Sequence, residues 1–197
     1  MLRPKIILSS LLALCLLSLM QATAQSRPNI IMVLVDDMGY SDLGCYGGEI
    51  QTPNLDSLAE SGIRYTAAHN TSKCYPSRAS LVTGLYFQRT NREFINAATF
   101  GEVLRPVGYR TLWSGKRHGN TNPITRGFDR YYGLLGGSSN HWNPGDKARP
   151  GEGIPAGAGR GKWMINDEEV KVFVPEDTSW YSTDAMTEAA LDWLKEY

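Results

Sequence analysis

Apolar positions along the chain fall into blocks of different period, and each period predicts a different element. Asn29 to Val35 reads NIIMVLV, an unbroken apolar run rich in β-branched residues, and predicts a strand buried on both faces of a parallel sheet. It stops at Asp36-Asp37. Thr52-Pro53 followed by LDSLAESG predicts a helix: Thr52 at the cap, Pro53 in the first turn, Leu55, Leu58 and Ala59 on one face, Gly62 at the end. Arg64 to Ala68 is a candidate short strand, and Pro76 to Thr83 predicts a helix stopped by Gly84. Thr99 and Glu102 form a capping box for a third short helix, ended by Pro106 and Gly108. Tyr109 to Ser114 predicts a strand that runs into Gly115-Lys116-Arg117-His118-Gly119. Asn140 to Gly161 is Gly- and Pro-rich and predicts a long irregular loop, a kind of segment that is often functional. Trp163 to Val174 predicts a hairpin turning at Asn166-Asp167. Ser182 to Tyr197 predicts an amphipathic helix with Met186, Ala189, Ala190, Trp193 and Leu194 inward.

Strand, helix, strand, helix in that order predicts an α/β fold: a mostly parallel sheet sandwiched by helices. Ligands of such sheets sit beyond the carboxyl ends of the strands. Asp36-Asp37 and Lys116/His118 each follow a predicted strand end, so acids and bases are expected on one rim.

The first residues form a separate object. Arg3 and Lys5 precede an apolar stretch, Ile6 to Met20, interrupted only by Ser9, Ser10 and Ser18, and Ala22-Thr23-Ala24 is a small-x-small cleavage site. Residues 1–24 thus read as a signal peptide, and the stretch is short for a membrane span, which needs about 20 residues. The expected location is secreted or periplasmic, with no membrane attachment after cleavage. Residues 25–197 are then the mature chain. The 20 basic and 20 acidic side chains of the full sequence give no reason to expect nucleic acid or an anionic membrane as partner.

Four features carry candidate chemistry. Adjacent Asp36 and Asp37 repel unless neutralised, so they read either as a hard-cation site for Ca²⁺ or Mg²⁺ or as a solvated turn. In an exported chain Cys45 and Cys74 read as a disulfide. Cys74 has a second reading, because it lies at the start of a helix where free N–H groups favour an anion. Arg78, one turn along, carries a guanidinium that suits a tetrahedral oxyanion. Lys116 and His118, two apart on an extended segment, face the same way and offer a cation and an acid–base group, or else a solvated basic loop. No CxxC or Cys/His array points to zinc. Asn70-Thr71-Ser72 is an N-glycosylation sequon, meaningful in a eukaryotic secretory pathway.

The stretch Cys74-Tyr75-Pro76-Ser77-Arg78-Ala79-Ser80-Leu81-Val82-Thr83-Gly84 resembles the signature of the formylglycine-dependent, arylsulfatase-like sulfatases of the alkaline phosphatase superfamily. RPNIIMVLVDDMGYSDLGCYG resembles the family's opening strand and metal loop, and TPNLDSLAESGIRYTAAH the helix that follows. Gly115-Lys116 with His118 resembles its G-K-W-H-L-G motif, and RGFDRYYG its G-F-D-x-F-Y-G motif. The resemblance runs from Arg27 to Tyr197. It implies an alkaline-phosphatase-like fold and hydrolysis of a sulfate ester, carried by a sulfated small molecule or polysaccharide. It implies Ca²⁺ held by Asp36 and Asp37, and Cys74 oxidised to formylglycine by a separate maturation enzyme. The hydrated aldehyde would also contact the calcium and attack sulfur. Arg78 would hold that group, Lys116 would bind a sulfate oxygen and His118 an oxygen of the hydrate. A sulfate-site serine would be Ser138 or Ser139. That chemistry argues against a Cys45–Cys74 disulfide.

Two departures stand out. Arg117 replaces the tryptophan of the lysine–histidine motif, and Gly119-Asn120 replaces the leucine-glycine after His118. Family members also continue past this point with a second pair of metal ligands and a further histidine and lysine, so the chain is expected to be the N-terminal portion of a catalytic domain. The alternatives are a phosphonate or phosphodiester hydrolase of the same superfamily and an inactive secreted fragment.

Overall fold

The computed structural model describes residues 27–158, 161–165, 167–170 and 173–197. The proposed signal peptide, residues 1–24, lies outside them, as does Asn166 of the expected turn. The chain divides into two units, residues 1–36 and 37–197. Among the described residues no helix is long and apolar enough to cross a membrane.

Of the first unit, residues 27–36 are described. The run expected to be a buried strand carries no regular secondary structure, and all six side chains from Ile30 to Val35 are exposed, Val33 by 75%. A strand exists only through its ladder, and apolar periodicity reports the wish for burial, not the partner. Asp36-Asp37 therefore does not follow a strand.

The second unit holds five α-helices and four strands among its described residues: α1 Pro53–Ser61, α2 Cys74–Thr83, α3 Phe87–Thr90, α4 Phe100–Leu104, β1 Leu112–Ser114, β2 Arg130–Leu134, β3 Trp163–Ile165, β4 Glu168–Val170 and α5 Ser182–Glu196. The sheet order is β1-β2-β3-β4, with β1 parallel to β2 and the other two pairs antiparallel. The α/β class holds, and the sheet in these residues is mixed. β2 escaped the pattern reading because Arg130-Tyr131-Tyr132-Gly133-Leu134 neither alternates cleanly nor forms an apolar run. Arg64 to Ala68 forms no strand.

Capping explains the helix bounds. Thr99 accepts from Glu102 N–H while Glu102 returns to Thr99 N–H, the expected box at α4. Gly84 takes the left-handed conformation and closes α2 onto the Ser80 carbonyl at 2.8 Å. Thr52 sits at the α1 cap, yet its hydroxyl donates to the Asp56 carboxylate and accepts from Gly44 N–H, so it ties α1 to the preceding loop. The Leu55/Leu58 face of α1 stays exposed, Leu58 by 66%. In α5, Trp193 is buried as expected, and Leu194 is exposed.

Two core clusters form. Ala79 and Val82 of α2 pack with Phe94 and Phe128, and Tyr131, Leu135 and Met164 form the second cluster. Trp113 of β1 touches both. The sheet thus meets α2 on one side of Trp113, while Ser114 Oγ donates to the Met186 carbonyl of α5 at 2.5 Å.

Candidate active site

Helix α2 brings Cys74 and Arg78 one turn apart. Cys74 is the first residue of the helix and partly buried, and both Cys74 and Cys45 carry free thiols. Burial of Ala79 and Val82 against Phe94 and Phe128 sets the roll of α2. Arg78 is buried, and its Nη1 donates to the Lys116 carbonyl at 2.7 Å. Two motifs 38 residues apart in sequence are joined by this bond.

The basic loop is held by backbone. Gly115, Arg117 and Gly119 N–H groups donate to the carbonyls of Tyr132, Leu134 and Leu135 at 2.9, 2.8 and 3.0 Å, so the loop continues the β1–β2 pairing past the end of β1. Gly133 is required there: a Cβ on it would collide with the Gly115 carbonyl, and its φ is 138°. Lys116 therefore lies just past a strand's carboxyl end, as expected. The expectation that Lys116 and His118 share a direction does not follow, because His118 has φ 60° and the chain turns at it. The His118 ring instead meets Tyr75 edge to face, centroids 5.5 Å apart, beside Cys74. Gly137 packs so closely on His118 that a Cβ there would fall 2.5 Å from Nε2.

Tyr75 is a focus that no sequence pattern flagged. Arg92 lies over its ring at 4.5 Å and Lys73 at 5.7 Å. With Arg78 one turn along α2 and His118 against the same ring, these gather basic groups around Tyr75, the residue next to Cys74. Such a setting favours a bound anion and a developing negative charge. Spacing alone could not reveal Arg92, which reaches Tyr75 from the turn after α3.

Arg117, at the position of the family's tryptophan, is 1% exposed. Its guanidinium covers the Phe94 ring and lies 3.6 Å from Glu93. Burial lowers its pKa to about 10, against the pull of Glu93. Burial opposes ionisation of Glu93 as well, but hydrogen bonds from Thr121 and Asn120 and the Arg117 charge outweigh it and hold that carboxyl below its ordinary range. The cation thus fills an aromatic's place and packs like one.

Asp36 and Asp37 belong to different units, and Asp37 has φ 53°. Their carboxylates are the hard oxygen donors that calcium takes, and two of them bring about four of the six to eight oxygens it requires. Among the described residues no group of three or more His, Cys, Asp or Glu gathers for a metal. The donor chemistry fits calcium, and the donor number is partial. Of the two loop serines, Ser138 is exposed and Ser139 half-buried.

The profile of the family described as Sulfatase matches residues 28–197. The chain is 31% identical over 198 aligned positions to an arylsulfatase of Klebsiella aerogenes, covering 88% of this chain and 40% of that protein. It is 38% identical over 169 positions to arylsulfatase G of Rattus norvegicus, covering 75% and 31%. Among solved structures it resembles Ps i-CgsB, with TM-score 0.69 and 32% identity over 87% of this chain and 42% of that one. It also resembles the PsFucS1 sulfatase from Pseudoalteromonas sp., with TM-score 0.53 and 33% identity over 70% and 31%. The chain spans less than half the length of each of these relatives. The family profile over residues 28–197, together with the α2 motif joined to the basic loop, establishes that the chain belongs to the sulfatase family.

Proposed function

We propose that this chain carries the nucleophile half of an exported sulfuric ester hydrolase that releases inorganic sulfate from a sulfate monoester. The observation that carries the reading is the 2.7 Å bond from Arg78 to the Lys116 carbonyl, which unites the Cys74 helix with the basic loop. Kinship to arylsulfatases supports the reaction class.

In this reading Cys74 is converted to formylglycine by a separate maturation enzyme, and the modified residue supplies the nucleophile. Asp36 and Asp37 would hold Ca²⁺, which would supply positive charge against the sulfate oxygens. The remaining roles belong to side chains of this chain. A sulfate monoester is already an anion and repels an approaching nucleophile. Arg78 and the N–H groups at the start of α2 neutralise charge next to residue 74. Lys116 binds a sulfate oxygen, and its position is set by the backbone bonds that flank it and by Arg78. His118, with its ring against Tyr75, would bind an oxygen of the modified residue 74. The buried aromatic and arginine packing beneath the loop keeps these groups in register at no reorganisation cost during the reaction.

Peptide mass spectrometry across Cys74, after co-expression with a formylglycine-generating enzyme, tests the reading. Thiol-to-aldehyde conversion requires a loss of about 18 Da. An unmodified thiol, or a disulfide to Cys45, would count against it. Comparing sulfate with phosphate and phosphonate esters separates a sulfatase from a phospho-ester hydrolase.

A further inference from the structure

One face of the β1–β2 pair holds a notch that neither strand fills with a side chain. Trp113 stands opposite Tyr131 in the parallel ladder, and the pairing runs on through Gly115 and Arg117, whose N–H groups donate to the Tyr132 and Leu134 carbonyls. Alternate residues of paired strands share a face, which sets Trp113, Gly115 and Arg117 beside Tyr131 and Gly133. The Trp113 and Tyr131 ring centroids, 6.1 Å apart, agree with that arrangement. Between this aromatic pair and Arg117, both strands carry glycine. A Cβ placed on Gly115 would meet no heavy atom within 4 Å.

The polar groups on this face are buried donors. The Phe94 ring takes one face of the Arg117 guanidinium, and Gly119 packs so tightly on Nη1 that a Cβ there would collide with it. Arg117 Nε and Nη2 have no hydrogen-bond partner among the described residues, and neither has the hydroxyl of Tyr131, a residue 0% exposed. Burial holds that hydroxyl protonated, far above the ordinary tyrosine range, while the charges of Arg117 and Arg78 pull the other way, so both guanidinium groups lie within electrostatic reach of it. Native folds meet such donors with a protein group, an ordered water or an ion. A guanidinium only donates, so a water here would bring two hydrogens of its own into a setting short of acceptors. Charge points the same way. Glu93 faces Arg117 at 3.6 Å and gives its oxygens to Asn120 and Thr121. Arg126 and Arg92 press on Arg117 with like charge, and Arg117, lowered by burial to about 10, is still a cation at neutral pH.

We propose that Arg117 and the Tyr131 hydroxyl bind a small monovalent anion, chloride, in the glycine notch between them. The ion accepts hydrogen bonds from the Arg117 guanidinium and from Tyr131, and it offsets the buried charge of Arg117 and, at longer range, of Arg78. Two absent β-carbons make room for a monatomic ion and not for a bulky oxyanion. The site belongs to the arginine: a tryptophan at position 117, as in the family motif, would bring no cation to balance. Arg117 lies between Lys116 and His118 in the chain, so the bound ion steadies the loop that carries both. Its binding does not depend on the chemistry at Cys74.

Thermal unfolding of the whole chain in sodium chloride and in sodium gluconate at equal ionic strength tests the site. Chloride is expected to raise Tm saturably, by about 3–6 °C at tenfold its dissociation constant, and gluconate to leave it flat. Tyr131→Phe removes only the hydroxyl and should weaken the apparent chloride affinity roughly tenfold. Arg117→Met, which keeps the volume without the charge, should abolish the response, and if that variant does not fold, Tyr131→Phe decides. In crystals grown with sodium bromide, an anomalous peak should sit against the Arg117 guanidinium and the Tyr131 hydroxyl. Equal Tm responses in the two salts, an unchanged chloride affinity in Tyr131→Phe, a full response in Arg117→Met, or an ordered water in place of bromide would overturn the anion site.

Discussion

The guanidinium of Arg117 lies over the ring of Phe94, 3.9 Å from its centroid, with Glu93 at 3.6 Å on the same loop. A cation 1% exposed is tolerable only because the ring face and the carboxylate replace its water. Glu93 in turn accepts from the N–H groups of Asn120 and Thr121, so one carboxylate ties Arg117 to the segment that follows His118.

Arg117→Ala is therefore expected to destabilise the chain by about 3–5 kcal/mol, since it removes the cation facing Glu93 and opens a cavity on Phe94. Urea unfolding gives the number. Arg117→Met, which refills the space without the charge, should cost clearly less. Equal losses for the two would show that packing contributes nothing.

Arg78→Ala frees the Lys116 carbonyl and should cost roughly 1–3 kcal/mol. Its signature is local: amides 115–119 should exchange hydrogen faster while those of β2 keep their protection. Uniform acceleration across the sheet would mean that Arg78 supports the fold at large and not the loop.

Glu93 and Glu102 both titrate below the ordinary 4.5, Glu102 chiefly through its hydrogen bond with Arg126, at 2.7 Å. Both have depressed folded-state values, so their stabilisation is complete above about 4.5 and is lost as pH falls through the lowered values. Tm should fall below pH 4.5, and less steeply in Glu102→Gln. An unchanged slope in that variant would remove Glu102 from the acid transition.

The exposed run from Ile30 to Val35 is apolar, uncharged and rich in β-branched residues, a pattern that invites association with other strands. The chain should self-associate in a concentration-dependent way, and Val33→Lys should raise the monomer fraction in sedimentation. A monomer at all concentrations would refute this.

What was legible in the sequence was local or short in range. The capping box at Thr99, the stop at Gly84, the helix after Cys74, the hairpin after Trp163 and the amphipathic α5 all rest on interactions within a few residues, so periodicity and cap chemistry reveal them. The Cys-Tyr-Pro-Ser-Arg motif named the family for the same reason: its residues lie on one helical turn.

Only tertiary structure decided the rest. The run at Ile30 reads as a strand by composition, yet a strand needs a ladder supplied from elsewhere in space. β2 forms because β1 and β3 pair with it, against a weak pattern of its own. Arg117 lies on Phe94, His118 takes a left-handed backbone and meets Tyr75, and Arg92 joins Tyr75 through a fold of the chain. Each of these depends on contacts between residues far apart in sequence, and no local rule encodes such contacts.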